Sequence, residues 1–188
     1  KGSVLIEALT HVPFVVSGLS GLAPETLQVS YRSGVYGGSY INHPVTWMPH
    51  SIVIDTNVLY AALRSRRGES RRLLDEVFEG AFTPHVSVPL VLEYEAVLVR
   101  ESHALGIQPK EARVVIAALL KHAETHQVHF RWPAHVRDPD DAHVLNTAVA
   151  ASCPYLITFN KSDFHQAWSL GVTLLTPREL RMRIRSST

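Results

Sequence analysis

From residue 51 onward, apolar positions fall into short runs and spaced pairs that alternate along the chain. Ser51-Ile-Val-Ile54 is a continuous apolar run, the pattern of a strand buried on both faces, and it ends at Asp55. Val58, Leu59, Ala62 and Leu63 then recur at helical spacing, followed by an arginine-rich loop. A second helix is predicted through Leu73, Leu74, Val77 and Phe78, closed by Gly80 as a C-cap residue. Phe82 to Val88 reads as a second strand, and Pro89 opens a helix carrying Val91, Leu92, Tyr94, Val97 and Leu98. Further helices are predicted from Pro109 to about Thr125 and over residues 140–151, with a weaker third strand between them at Val128-His129-Phe130. Tyr155–Thr158 and Val172–Leu175 complete the strands, and Pro177 opens a terminal helix. Strands alternating with helices imply an α/β fold, in which a central parallel sheet is covered on both faces by helices and joined by right-handed crossovers. Ligands of such sheets bind beyond the carboxyl ends of the strands.

Residues 1–50 have a different character. They hold six of the ten glycines, in stretches such as Ser17-Gly18-Leu19-Ser20-Gly21 and Ser33-Gly34-Val35-Tyr36-Gly37-Gly38, and show no sustained period. The expected division is an irregular N-terminal extension over 1–50 and a compact domain over 51–188, with Met48 a natural start for the latter.

The carboxylates are placed by this pattern. Asp55 follows the first strand directly. Glu93 lies in the first turns of the helix after the second. Asp138, Asp140 and Asp141 open the helix before the fourth strand, and Asn160 and Asp163 follow that strand. In a doubly wound sheet all fall on one edge. Each alone is as readily an N-cap residue. Together they are harder to explain that way, since two carboxylates about 4 Å apart repel by roughly 1–4 kcal/mol. A cluster of them calls for a cation. Hard oxygen ligands with no convergent His or Cys suit Mg2+ or Mn2+ rather than zinc.

The same residues carry a family resemblance. Ile-Val-Ile-Asp55-Thr56-Asn57-Val-Leu, Glu93 in Val-Leu-Glu-Tyr-Glu-Ala-Val-Leu, Arg137-Asp-Pro-Asp-Asp141-Ala-His-Val-Leu-Asn-Thr-Ala148, and Leu-Ile-Thr158-Phe-Asn160-Lys-Ser-Asp163-Phe164 together resemble the PIN domain, over roughly residues 51 to 180. The pattern is most similar to the PIN toxins of type II toxin–antitoxin pairs. The resemblance implies a three-layer α/β/α PIN fold and a Mg2+-dependent (or Mn2+-dependent) endoribonuclease, checked by a cognate antitoxin and able to form a homodimer. Asp55, Glu93 and Asp141 match the family's metal-binding acids. At the fourth acidic position many relatives carry Asp where this chain has Asn160. Others show the Thr-x-Asn-x-x-Asp-Phe form found here, with Asp163 as the acid. Asn57, Thr56, Thr158 and Asn160 are expected to orient the acids. The preference for RNA comes from the resemblance, because hydrolysis by an activated water does not use the 2′-hydroxyl.

Net charge is only +1, so no global basic field marks a nucleic-acid binder. Arg64, Arg66, Arg67, Arg71 and Arg72 lie within nine positions, however, and could contact RNA phosphates; a solvated loop fits them equally well. Cys153 is the single cysteine, which excludes an internal disulfide and a cysteine zinc site, fits a cytoplasmic protein and reads as a small core residue. No apolar run approaches the roughly 20 residues of a membrane span. His122 and His126 stand four apart on the predicted helix but lack a third ligand at a recognised spacing, so a solvated face is expected there. The chain also lacks a glycine-rich phosphate loop and a Gly-x-Ser-x-Gly elbow. Two rival functions remain: a catalytically silent PIN module used for binding, and a metal-dependent phosphatase acting on small substrates.

Overall fold

The structure is a computed structural model that describes residues 50–129, 136–137 and 142–185, all within one compact unit, Pro49–Thr188. Its elements are β1 (His50–Ile54), α1 (Thr56–Arg64), α2 (Glu69–Phe78), β2 (Phe82–Ser87), α3 (Val88–Arg100), α4 (Ser102–Leu105), α5 (Pro109–Lys121), β3 (Glu124–His126), α6 (Ala142–Ala150), β4 (Tyr155–Ile157), β5 (Thr173–Leu175) and α7 (Pro177–Arg185). Two 3-10 turns, Lys161–Phe164 and Ala167–Leu170, connect β4 to β5. The five strands form one parallel sheet in the order β3-β2-β1-β4-β5. This is the α/β architecture that the alternating pattern predicts, and it is consistent with a PIN fold.

Local chemistry explains where the elements begin and end. Asp55, in extended conformation, caps α1 by accepting a hydrogen bond from the Asn57 amide. α5 opens with a capping box between Gln108 and Glu111 and with Pro109 in its first turn. After α2 the chain turns through Gly80, whose φ of +82° suits glycine. Ile52, Val53 and Ile54 of β1 are all buried, as a central parallel strand requires, and they pack with Val58 and Leu59 of α1, Leu90 and Leu98 of α3, and Leu145 of α6 in one core. Pro84, which has no N–H to donate, is the last β2 position in register with β1; pairing to β3 starts at His85.

Three sequence expectations change. The third strand is Glu124–His126; Val128 and His129 of the expected strand follow it outside any strand, and Phe130 lies outside the described residues. Among the described residues, strand β3 is an edge strand held by main-chain bonds to β2, so it has no need of apolar side chains. Accordingly α5 stops at Lys121, His122 is its C-cap, and His126 lies on a strand; the helical His122/His126 pair does not exist. The arginine-rich segment is split as well, because α2 begins at Glu69 and carries Arg71 and Arg72. Cys153 is a core residue, 2% exposed, and burial pushes its thiol up to about 11. Among the described residues, no helix is long and apolar enough to cross a membrane.

Candidate functional site

Strand order reverses between β1 and β4: β2 and β3 lie to one side of this pair, and β5 to the other. The crevice of a doubly wound sheet opens at that switch point, beyond the strand carboxyl ends. Asp55 leaves β1 there and Thr158 leaves β4, the Asp55 amide donating to the Ile157 carbonyl at 2.9 Å. The Thr158 hydroxyl donates to Asp55 Oδ2 at 2.6 Å, and Asn57 Nδ2 donates to the same oxygen at 2.8 Å. Asn57 in turn accepts from the Phe159 amide at 3.4 Å, and the Thr158 hydroxyl accepts from the Asn160 amide at 2.9 Å. Asp55 is thus 92% buried yet held by hydroxyl and amide donors. Such neutral donors satisfy and orient a carboxylate without cancelling its charge.

Glu93 reaches the crevice on α3. The next residue, Tyr94, is fully buried and donates its phenol proton to the Ile54 carbonyl, which fastens α3 beneath the end of β1. Burial and then the negative charges of Asp55 and Glu93 hold the Tyr94 pKa well above its ordinary value, so the phenol stays a donor. On the far side, Glu93 Oε2 faces Nε2 of His143 on α6 within ion-pair distance. Burial alone would raise the Glu93 carboxyl; His143 and the adjacent Thr56 hydroxyl outweigh it and leave the pKa below its usual value. A second tie between these elements is the 2.7 Å bond between Ser87 Oγ, at the start of α3, and Thr147 Oγ1. His143 is the site residue that the sequence reading passes over. It stands two positions after Asp141 in the third motif, but a lone histidine on a helix does not announce which carboxylate it meets.

The structure therefore brings Asp55, Asn57, Thr158 and the Asn160 backbone into one hydrogen-bonded knot, with Thr56 and Glu93 alongside. Asp141, like Asp138 and Asp140, lies outside the described residues; Ala142, the next residue in the chain, is the first of α6. Asp163 sits in the turn after β4, its amide bonded to the Asn160 carbonyl and its own carbonyl to the Arg137 amide. The Asp163 carboxylate takes the Ser162 hydroxyl at 3.4 Å. None of these contacts joins it to Asp55 or Glu93. Arg71 pairs with Asp75, and Arg72 with Glu69, whereas Arg64, Arg66 and Arg67 are exposed at the end of α1 and in the loop beyond.

A switch-point crevice holding buried carboxylates is the arrangement that the four sequence motifs imply. The PIN domain profile matches residues 51–162, which spans β1 through the turn after β4. The chain belongs to the PIN domain family. No curated protein matches it at a significant level. The PIN domain is a nuclease fold, and the oxygen-rich donor set of Asp55 and Glu93 fits the divalent ion that such domains bind.

Two consequences are open to measurement. Thr158→Val removes the hydroxyl that binds the buried Asp55 carboxylate while keeping its volume. It is expected to lower unfolding stability at neutral pH by about 1–3 kcal/mol, read as a shift of the urea midpoint at constant m-value. The turn after β4 is held to α7 by Glu179, which accepts from Lys161 and from the Thr176 amide. The Lys161 hydrogen bond, followed by that of the Thr176 amide, brings the Glu179 pKa from 4.5 to about 2. A depressed acid stabilises above its unfolded pKa and loses that contribution as pH falls through the folded one. The partly exposed Glu179 should therefore add a modest stability that fades from about pH 4.5 towards pH 2. Glu179→Gln is expected to flatten that part of the pH–stability curve.

Proposed function

We propose that this PIN domain protein is a Mg2+-dependent endoribonuclease. The observation that carries the reading is the Asp55 carboxylate, buried at the strand-order switch and oriented by Thr158 and Asn57, with Glu93 on the neighbouring α3. Asp55, Glu93 and Asp141 hold the ion, and Asp163 acts from outside this set. When bound, the ion supplies the Lewis acidity that phosphodiester hydrolysis at neutral pH requires. The chain's own groups do the positioning. Thr158 and Asn57 fix the direction of the Asp55 lone pairs, and His143 keeps Glu93 deprotonated and aimed into the crevice, where it orients ion or water. Exposed Arg64, Arg66 and Arg67 offer phosphate contacts that a single-stranded RNA backbone would meet. Arg71 and Arg72 contribute less, because each already has a carboxylate partner on α2. The motif resemblance supports RNA as substrate and extends the reading to a toxin restrained by a cognate antitoxin.

Asp55→Asn and Glu93→Gln are isosteric changes, and Asn caps a helix as well as Asp does. Each is expected to reduce Mg2+-dependent cleavage of labelled single-stranded RNA by about two to three orders of magnitude with the circular dichroism spectrum of the folded protein retained. Wild-type cleavage in EDTA, or full activity in both variants, would refute the assignment. Release of phosphate from mononucleotides without cleavage of oligonucleotides would favour the phosphatase. Replacing Arg64, Arg66 and Arg67 together by Ala should lower the slope of log K against log salt for RNA by about 2, at roughly 0.7 per phosphate contact. The Arg71/Arg72 double variant should change it less.

A further inference from the structure

At the far edge of the sheet from β5, three side chains converge that the crevice does not use. His85 on β2 is in register with Glu124 on β3, and Ser87 with His126. Side chains alternate along a strand, so His85, Glu124 and His126 all project from one face. His85 Nδ1 lies 2.8 Å from His126 Nε2 and 3.7 Å from Glu124 Oε2. One ligand atom from each of the three falls within 4.8 Å of the others.

We propose that His85, His126 and Glu124 form a second metal site, selective for a zinc-class divalent ion, that pins the edge strand β3 to β2. Two imidazoles and one carboxylate are the donor set of open zinc sites, in which solvent supplies the fourth ligand. Bond lengths of about 2.0–2.2 Å at tetrahedral angles put ligand atoms about 3.3–3.6 Å apart. The His85–Glu124 spacing is already near that value, and the His85–His126 pair needs to open by only about half an ångström. His85 is only 5% exposed and its Nε2 has no hydrogen-bond partner among the described residues, so its polar interactions run through Nδ1. Glu124, by contrast, is 65% exposed, which leaves the outer side of the cluster open to solvent. Nitrogen donors disfavour Mg2+, so this site and the carboxylate crevice differ in the ion they select. An edge strand of three residues gains much from such a cross-link, since among the described residues it has one neighbouring strand, and it has little apolar area of its own.

The experiment uses the untagged full chain. Co2+, added as a spectroscopic probe, is expected to produce the visible absorption of a tetrahedral nitrogen–oxygen site, saturating at one equivalent and lost on adding Zn2+. Zn2+, but not Mg2+ at the same concentration, should raise the Tm through linkage to folding. Asp55→Asn should keep both responses. His126→Gln should abolish them, and Glu124→Gln, an exposed change that leaves the core alone, should weaken Co2+ binding at least about tenfold. Co2+ binding unchanged in His126→Gln and Glu124→Gln would overturn the proposal, and so would loss of the signal in Asp55→Asn.

Discussion

A buried carboxylate needs donors, and where those donors come from decides how this molecule is assembled. Asp55 receives two hydrogen bonds from Asn57, two residues along, and one from Thr158, 103 residues away. The Thr158 bond cannot form until β4 has docked against β1, which couples the local cap of α1 to the long-range pairing of the sheet. Charge-assisted bonds of this kind are worth more than neutral ones, and a buried carboxylate left without them is strongly unfavourable. The constraint therefore acts both as a structural lock and as the device that aims the acid into the crevice.

The other side of the crevice is organised by a parallel device. Tyr94 spends its hydroxyl on a β1 carbonyl, so the side chain before it, Glu93, is set relative to Asp55 by a residue buried in the core. His143 and the Ser87–Thr147 bond then bring α6 against α3. Burial would raise the Glu93 carboxyl, and His143 with the Thr56 hydroxyl holds it below its usual value. Asp55 and Glu93 thus offer oxygen donors of the kind that a hard divalent ion takes.

Charge elsewhere follows a simpler rule. Arginines on α2 are matched within a turn by Asp75 and Glu69, a surface arrangement of small energetic value. Arg64, Arg66 and Arg67, which precede α2, have no such match among the described residues and are exposed to solvent. The two ends of one arginine run thus differ in pairing because a helix begins between them.

The sequence alone made legible the alternation of strands and helices, the β1 strand and the motif positions of Asp55, Glu93 and Asp163, because apolar period and strand-end position are local properties of the chain. It also determined that Cys153 would be a core residue, since an isolated cysteine among apolar neighbours has little else to do. The folded chain settles that Thr158 holds Asp55, that Tyr94 carries Glu93 into place, and that His143 is the partner of that acid. It also moved β3 to Glu124–His126. An edge strand is defined by the main-chain groups of its neighbour rather than by its own apolar residues, so its period is silent. For the same reason His126 left the expected helix and joined His85 and Glu124. Contacts made across 40 or 100 residues depend on which strands lie side by side, and that order is a property of the folded sheet, in which side chains distant along the chain share one face.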